Sequence, residues 1–116
     1  MIKNITKKTV IAETFEQAKT NWQKTKGLMF RKAKPIVFYF NKEKKTNFHT
    51  WFVKEPIDII LLDKKSKVIA TKENLKPWRF YNPKKKFKYA IEAQKGTIKK
   101  SKTEKGDTIS ITKSKL

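Results

Sequence analysis

The feature that most constrains the fold is that apolar residues come in short blocks separated by polar segments. The longest uninterrupted block is Ile36–Phe40, far short of the roughly 20 residues that a membrane-spanning helix needs. Short blocks of β-branched and aromatic residues bounded by turn residues are typical of strands. The pattern therefore predicts a chain built mainly from short strands, with no transmembrane segment.

Turn residues mark where these strands end. Pro77 and Pro83 interrupt a polar segment over 73–86, which is predicted to be a loop, and Gly96 indicates a turn. A short strand is expected to start at Ile98. The main predicted strands are Lys8–Ala12, Pro35–Asn41, Asn47–Val53, Ile57–Leu62, Lys67–Thr71, Phe87–Ala93 and Thr108–Thr112.

One segment, Thr14–Lys26, is predicted to be an amphipathic helix. Thr14 and Gln17 have the spacing of a capping box, in which each side chain bonds the other residue's backbone N–H. Apolar residues at 15, 18 and 22 fall on one helical face. Gly27 can adopt the left-handed conformation that ends many helices.

These elements predict a mainly β fold of the α+β class. Six or seven short strands are expected to form a small, curled, barrel-like sheet, antiparallel or mixed, with one helix near the N-terminus. Parallel units alternating with helices are not expected, because only one helix is predicted. The length of 116 residues fits a single domain over 1–116.

The chain is strongly basic, with 30 Lys and Arg residues against 10 Asp and Glu residues and a formal net charge of +20. Only Arg31 and Arg79 are arginines, whereas arginine is the better residue for bidentate recognition of bases and phosphates. Lysine suits non-specific contacts with a phosphate backbone. We expect affinity for polyanions at low salt; the alternative is that the lysines simply cover a solvated surface.

The composition also excludes several kinds of chemistry. The chain has no cysteine and one histidine, so disulfides, thiolate catalysis and multi-histidine metal sites are excluded. A nucleophile elbow and a phosphate-binding glycine loop are absent from the sequence. We therefore predict no catalytic residue, metal or cofactor, and favour a non-enzymatic protein. The N-terminal segment lacks an apolar run of signal-peptide length, which favours a cytoplasmic location. We also expect a monomer.

Six sequence blocks, taken in order, resemble a known family. They are GLMFR at 27–31, PIVFYF at 35–40, HTWFVKEPIDIILLD at 49–63, ENLKPWR at 73–79, YAIEAQKGT at 89–97 and KGD at 105–107. The chain is similar, from Val10 to Ile111, to the archaeal branch of domain of unknown function 192, also called uncharacterised protein family 0127. Many bacterial members carry an export signal and a W-M-K-N-T-like string where this chain has WFVKE. The resemblance implies a compact, mostly β fold and supplies no reaction.

Four residues are candidates for a ligand pocket: Arg31, His49, Trp51 and Asp58. Asp58 lies among apolar residues and must be paired or hydrogen-bonded if buried. Arg31 is the predicted partner, and the pair would either orient a ligand or pin a loop to the sheet. His49 is a potential base or pH switch, with an ordinary half-buried strand residue as the alternative. The same burial argument applies to Glu92.

The segment over 76–89, KPWRFYNPKKKFKY, is the candidate nucleic-acid interface. Aromatic side chains that stack on bases beside cations that hold phosphates are typical of single-strand binding. The alternative is that Trp78 and Tyr81 cover one end of the barrel while the lysines are solvated. The candidate residues are Lys76, Trp78, Arg79, Tyr81, Lys84, Lys85, Lys86 and Lys88.

The sequence therefore favours an uncharacterised binding protein. The main hypothesis is low-specificity binding of a polyanion, specifically single-stranded nucleic acid. The alternatives are a pocket for a small anionic or sugar-like ligand, and a protein-interaction module that uses a sheet edge or an aromatic patch.

Overall fold

A computed structural model describes residues 1–113 of the chain. The predicted class is confirmed, because most elements are short strands and only two short helices interrupt them. In chain order, the elements are β1 (Ile2–Asn4), β2 (Thr9–Ala12), β3 (Glu16–Ala18), α1 (Asn21–Lys26), β4 (Ile36–Lys44), β5 (Phe48–His49), β6 (Ile57–Leu62), β7 (Val68–Leu75), β8 (Phe80–Tyr81), β9 (Phe87–Gln94), α2 (Thr97–Ser101) and β10 (Ile109–Ile111).

The largest sheet has five strands in the order β3-β4-β9-β6-β7. β3 runs parallel to β4, and the other neighbours are antiparallel. A second sheet joins β10, β1 and β2, and β5 pairs with β8 in a two-stranded ribbon. The sheets are mixed and curled but do not close, so the predicted barrel-like shape holds only loosely. Neither described helix is long and apolar enough to cross a membrane.

The five-stranded sheet is buried on both faces. All six residues of β6 are buried, and successive side chains of a strand point to opposite faces. Ile57, Ile59 and Leu61 pack into one core, while Ile60 and Leu62 pack into the other. An uninterrupted apolar run is therefore what this strand requires.

The predicted helix Thr14–Lys26 is wrong in its first half. Residues 16–18 form β3, which pairs with β4 through Glu16 and Ile36. The capping box lies further along the chain, where Gln23 N donates to Thr20 Oγ1 at 3.0 Å and Thr20 N donates to Gln23 Oε1 at 3.1 Å. The Thr-x-x-Gln spacing occurs twice in the sequence, and the pairing of β3 with β4 decides which copy acts as the cap.

Three further boundaries differ from the sequence prediction. The segment after Gly96 is the helix α2, not a strand from Ile98. The predicted strand Asn47–Val53 is extended only at Phe48–His49. The loop predicted over 73–86 contains the end of β7 and the whole of β8.

Candidate functional site

Five aromatic side chains, four of them exposed and Trp51 half-buried, form a continuous surface cluster, which we call the aromatic patch. Phe30 stacks on Phe52 with ring centroids 4.8 Å apart, and Phe52 contacts Trp78 edge-on at 4.7 Å. Trp51 contacts Trp78 at 5.6 Å and Phe80 at 5.0 Å. Phe30, Trp78 and Phe80 are 63%, 53% and 65% exposed. Large contiguous apolar patches on a protein surface are typical of interaction sites.

The buried hydroxyl of Thr50 positions two of the loops that carry the patch. Thr50 Oγ1 donates to Lys76 O at 2.6 Å and accepts from Arg79 N at 2.8 Å. Thr50 N also donates to Arg79 O, and Trp78 N donates to Thr50 O, each at 2.9 Å. A third loop, which carries Phe30, is bonded to the loop of Phe52, because Phe30 N donates to Phe52 O at 2.8 Å. The sequence analysis missed Thr50, because a threonine among aromatic residues carries no distinctive signal.

Three patch residues adopt backbone conformations that bulky side chains rarely take. The φ angles of Phe30, Phe52 and Trp78 are +63°, +62° and +64°, in the left-handed region that favours glycine. Such conformations cost on the order of 1 kcal/mol or more each and cluster at functional sites. The three loops therefore expose these aromatic rings at a cost in backbone strain.

Exposed cations flank the patch. Lys32, Lys54, Lys76 and Arg79 are exposed neighbours in sequence of the patch residues. The one acid on these loops, Glu55, accepts a hydrogen bond from Ala33 N at 2.7 Å. The surroundings of the patch are consequently basic.

The predicted nucleic-acid segment 76–89 divides into two parts. Trp78 is exposed in the patch, whereas Tyr81 is half-buried and stacks on Phe48 at 6.1 Å. Lys85 Nζ donates to Ile69 O at 3.3 Å, and Lys88 Nζ donates to Phe40 O at 2.6 Å. Lys84 and Lys86 are exposed beside them. Of this segment, only Trp78 and Phe80 belong to the aromatic patch, whereas Lys85 and Lys88 bond carbonyl groups of β7 and β4.

A cavity of about 340 Å³ lies between α1, β4, β5 and β9, and we call it the Glu92 cavity. Glu92 lies on β9 and is 6% exposed, and burial raises the pKa of its carboxyl to about 8. Gly27 adopts φ +45° beside it, and a Cβ there would lie 3.3 Å from Phe38 Cζ and 3.8 Å from Glu92 Oε1. The backbone conformation therefore favours glycine, and a Cβ here would be tight only against the Phe38 ring.

Two lysines stand at the Glu92 cavity around the ring of Phe40. Lys24 Nζ is 4.5 Å and Lys44 Nζ is 5.2 Å from the ring centroid. Burial, and secondarily the charge of Lys44, lower the pKa of Lys24. Lys24 Nζ also donates to Tyr39 O at 2.9 Å. Two cations and a buried acid therefore share one cavity.

The four predicted pocket residues do not converge. Arg31 bonds Glu16 Oε1 at 2.9 Å and Gly27 O at 2.8 Å. Asp58, 1% exposed, accepts backbone N–H bonds from other elements, so the predicted Arg31–Asp58 pair is not formed. Trp51 belongs to the aromatic patch. His49 lines the Glu92 cavity while it stacks on Trp51.

Within residues 1–113, no three His, Asp or Glu side chains come close enough together to hold a metal ion. The chemistry that the described side chains offer is stacking at the aromatic patch and hydrogen bonding at the Glu92 cavity.

The open, mainly β sheet with two short helices defines the class as α+β. The sequence model of DUF192, described as Uncharacterized ACR, matches residues 2–111, and the chain belongs to this family. This confirms the resemblance in the sequence blocks. A UPF0127 protein of Pyrococcus furiosus is 40% identical over 86 residues, covering 72% of this chain and 73% of the relative. A UPF0127 protein of Thermococcus kodakarensis is 36% identical over 116 residues, covering 97% and 73%.

Two crystal structures share the fold. A protein of Sinorhizobium meliloti, described as a candidate transcription regulator, aligns with a TM-score of 0.78 at 20% identity and covers 83% of this chain and 79% of its own. A protein of unknown function from Novosphingobium aromaticivorans aligns with a TM-score of 0.77 at 22% identity, covering 84% and 74%. These similarities show the fold alone.

Proposed function

We propose that the aromatic patch binds single-stranded nucleic acid with low sequence specificity. The observation that carries the proposal is the contact of five aromatic rings on a chain with a net charge of +20. Base stacking on aromatic side chains tolerates any sequence, because every base has a π face. Cations beside the rings attract the phosphate backbone.

The backbone geometry of the patch supports the same proposal. Thr50 ties the loops together, so the rings are held in place before a ligand arrives. A preorganised site spends less of its binding energy on ordering side chains. Phe30, Trp78 and Phe80 each leave half or more of their surface available for stacking.

Charge favours nucleic acid over a protein partner. Polyanion binding gains from counterion release, which scales with the number of neutralised phosphates. Lys76, Arg79, Lys54 and Lys32 can supply such contacts around the rings.

As part of the same proposal, the protein acts as a cytoplasmic monomer whose single domain spans 1–116. Light scattering after size-exclusion chromatography should then give about the 13.7 kDa of one chain, whereas dimerisation abolished by Trp78→Ala would assign the patch to a second copy.

Fluorescence anisotropy of a labelled 20-nucleotide oligothymidylate tests the binding. We expect a Kd tighter than about 10⁻⁴ M near physiological salt, and an affinity that falls as salt rises. Trp78→Ala and Phe80→Ala should each weaken binding by about 5-fold or more, because stacking contributes about 1–3 kcal/mol per base.

Two matched controls separate stacking from charge. Trp22 is 73% exposed but lies on α1 outside the patch, so Trp22→Ala should change affinity less than about 2-fold. Lys76→Gln should reduce the salt dependence more than Lys99→Gln, on α2, does. Equal losses for Trp22→Ala and Trp78→Ala, or a Kd weaker than about 10⁻⁴ M, would refute the proposal.

A further inference from the structure

We propose that the Glu92 cavity is a second binding site, which holds a small organic carboxylate with an apolar body. The cavity adjoins the aromatic patch through His49, which stacks on Trp51, but none of the five patch residues lines it. The proposal does not depend on the function proposed for the patch. The anionic head of this ligand accepts a hydrogen bond from the Glu92 carboxyl group, and Lys24 and Lys44 around Phe40 attract it to the cavity.

The Glu92 cavity has the volume and the buried polar lining of a ligand-binding site. Its volume of about 340 Å³ is at the lower end of the range for small-molecule sites. Glu92 lines it, is more than nine-tenths buried, and burial alone accounts for its raised pKa. No residue in the described part of the chain supplies a hydrogen bond or charge that stabilises its ionised form. Glu92 faces the cavity, so a ligand there can accept a hydrogen bond from its carboxyl group.

The residues that line the cavity determine which kind of anion it can bind. Leu28, Phe38, Phe40, Phe48 and Val53 give the cavity apolar and aromatic sides, which suit a hydrocarbon body better than a sugar. A protonated Glu92 can donate its O–H to a carboxylate, and such charge-assisted bonds are short and strong. Lys24 and Lys44 supply positive charge at the same cavity.

The charge of Glu92 makes the binding depend on pH. With a pKa of about 8, the carboxyl is a hydrogen-bond donor at neutral pH and an anion above pH 8. The other groups that titrate or carry charge in the cavity are Lys24 and Lys26 from α1, Lys44 from β4 and His49 from β5. Ionised Glu92 would repel a carboxylate, so affinity should fall as pH rises through the pKa of Glu92.

Titration of the full chain with benzoate and hexanoate, followed by ¹H–¹⁵N NMR, tests the site. At about pH 6.5 we expect saturable shifts at Leu28, Met29 and Val53, with a Kd near or below about 1 mM. Benzyl alcohol, which has the same ring without the anion, should bind at least about 5-fold more weakly. Inorganic phosphate and glucose 6-phosphate should not produce the same shifts.

Variants assign the binding to the cavity. Lys44→Gln should weaken benzoate binding about 3-fold or more, whereas Lys45→Gln, which removes the same charge outside the cavity, should not. Glu92→Gln keeps a neutral donor at this position, so it should bind benzoate at about pH 6.5. In the natural protein, the affinity for benzoate should drop roughly 5-fold between about pH 6.5 and 9, and in Glu92→Gln most of this drop should be absent.

Several results would overturn the proposal. These are the absence of saturable shifts at cavity residues up to about 10 mM benzoate, equal binding of benzyl alcohol, and equal losses in Lys44→Gln and Lys45→Gln. Tighter binding of glucose 6-phosphate than of benzoate would instead assign the cavity to phosphorylated sugars. Loss of benzoate binding in Glu92→Gln with an unchanged thermal transition would refute the role given to the protonated carboxyl.

Discussion

At the scale of single residues, two buried acids of the central sheet have opposite surroundings. Asp58 on β6 accepts backbone N–H bonds from Asn74 and Ile98, each at 2.9 Å. Glu92 on β9 has only burial acting on it, and its pKa rises to about 8. The fold thus satisfies one carboxyl completely and holds the other as a neutral acid beside a cavity.

Glu92 should make the stability of the protein fall as pH rises from about 5 to 8. Its pKa is about 8 in the folded state against 4.5 for an ordinary glutamate, so between these values the folded state binds more protons than the unfolded state. Stability is then lost with rising pH, by about 1.4 kcal/mol per pH unit at most. Chemical denaturation at about pH 5.5 and 7.5 should show a loss of roughly 2 kcal/mol.

Glu92→Gln is the control for this pH dependence. Glutamine occupies the same volume without titrating, so the variant should keep a nearly constant free energy of unfolding between about pH 5.5 and 7.5. Glu16 and Asp107 have lowered pKa values, and they act below this window. An identical slope in both proteins would show that Glu92 is not the titrating group.

At the scale of elements, Asp58 joins three parts of the fold. Its two oxygens connect β6 to Asn74 of β7 and to Ile98 at the start of α2. An asparagine has only one oxygen, and its NH₂ group would face a backbone N–H. Asp58→Asn should therefore lower the free energy of unfolding by about 2–4 kcal/mol in urea denaturation. Glu73→Gln, an exposed change on β7, should change it by less than about 0.5 kcal/mol.

The elements that the sequence predicts best are the strands that can be recognised from their own residues. β4, β6 and β9 lie inside the five-stranded sheet, and burial on both faces imposes long apolar runs that can be recognised directly. β3 was predicted as helix because its three residues become a strand only by pairing with β4, a partner 20 positions away at Glu16 and Ile36. Such non-local pairing leaves no local signal.

The candidate sites were predictable only in part, for the same reason. The prediction names Trp78, but the contact of Trp78 with Phe52, and of Phe52 with Phe30, depends on three loops meeting in space. Arg31 and Asp58 were paired in the prediction because both lie in characteristic blocks, although each finds a nearer partner. Sequence spacing identifies unusual residues, whereas the fold decides which of them meet.

At the scale of the whole molecule, excess positive charge is the dominant electrostatic term. In residues 1–113, ion pairs form in only two places, where Lys7 meets Glu104 and Asp107 and where Glu16 meets Arg31 and Lys34. Most of the basic residues within 1–113 have no such partner to offset their charge. The described molecule extends 33 × 29 × 26 Å, comparable with the screening length of about 30 Å in 0.01 M salt.

Added salt should therefore stabilise this protein. At low salt the excess positive charges repel one another across the molecule, and this self-repulsion opposes the compact state. Raising NaCl from about 0.01 M to 0.3 M shortens the screening length to below 10 Å and should raise the free energy of unfolding by about 1 kcal/mol. Guanidinium is itself a salt, so urea denaturation is the suitable measurement. Lys45→Glu, which lowers the net charge by two on an exposed residue, should reduce the gain. A loss of stability with added NaCl would show instead that the two ion-pair clusters outweigh the repulsion.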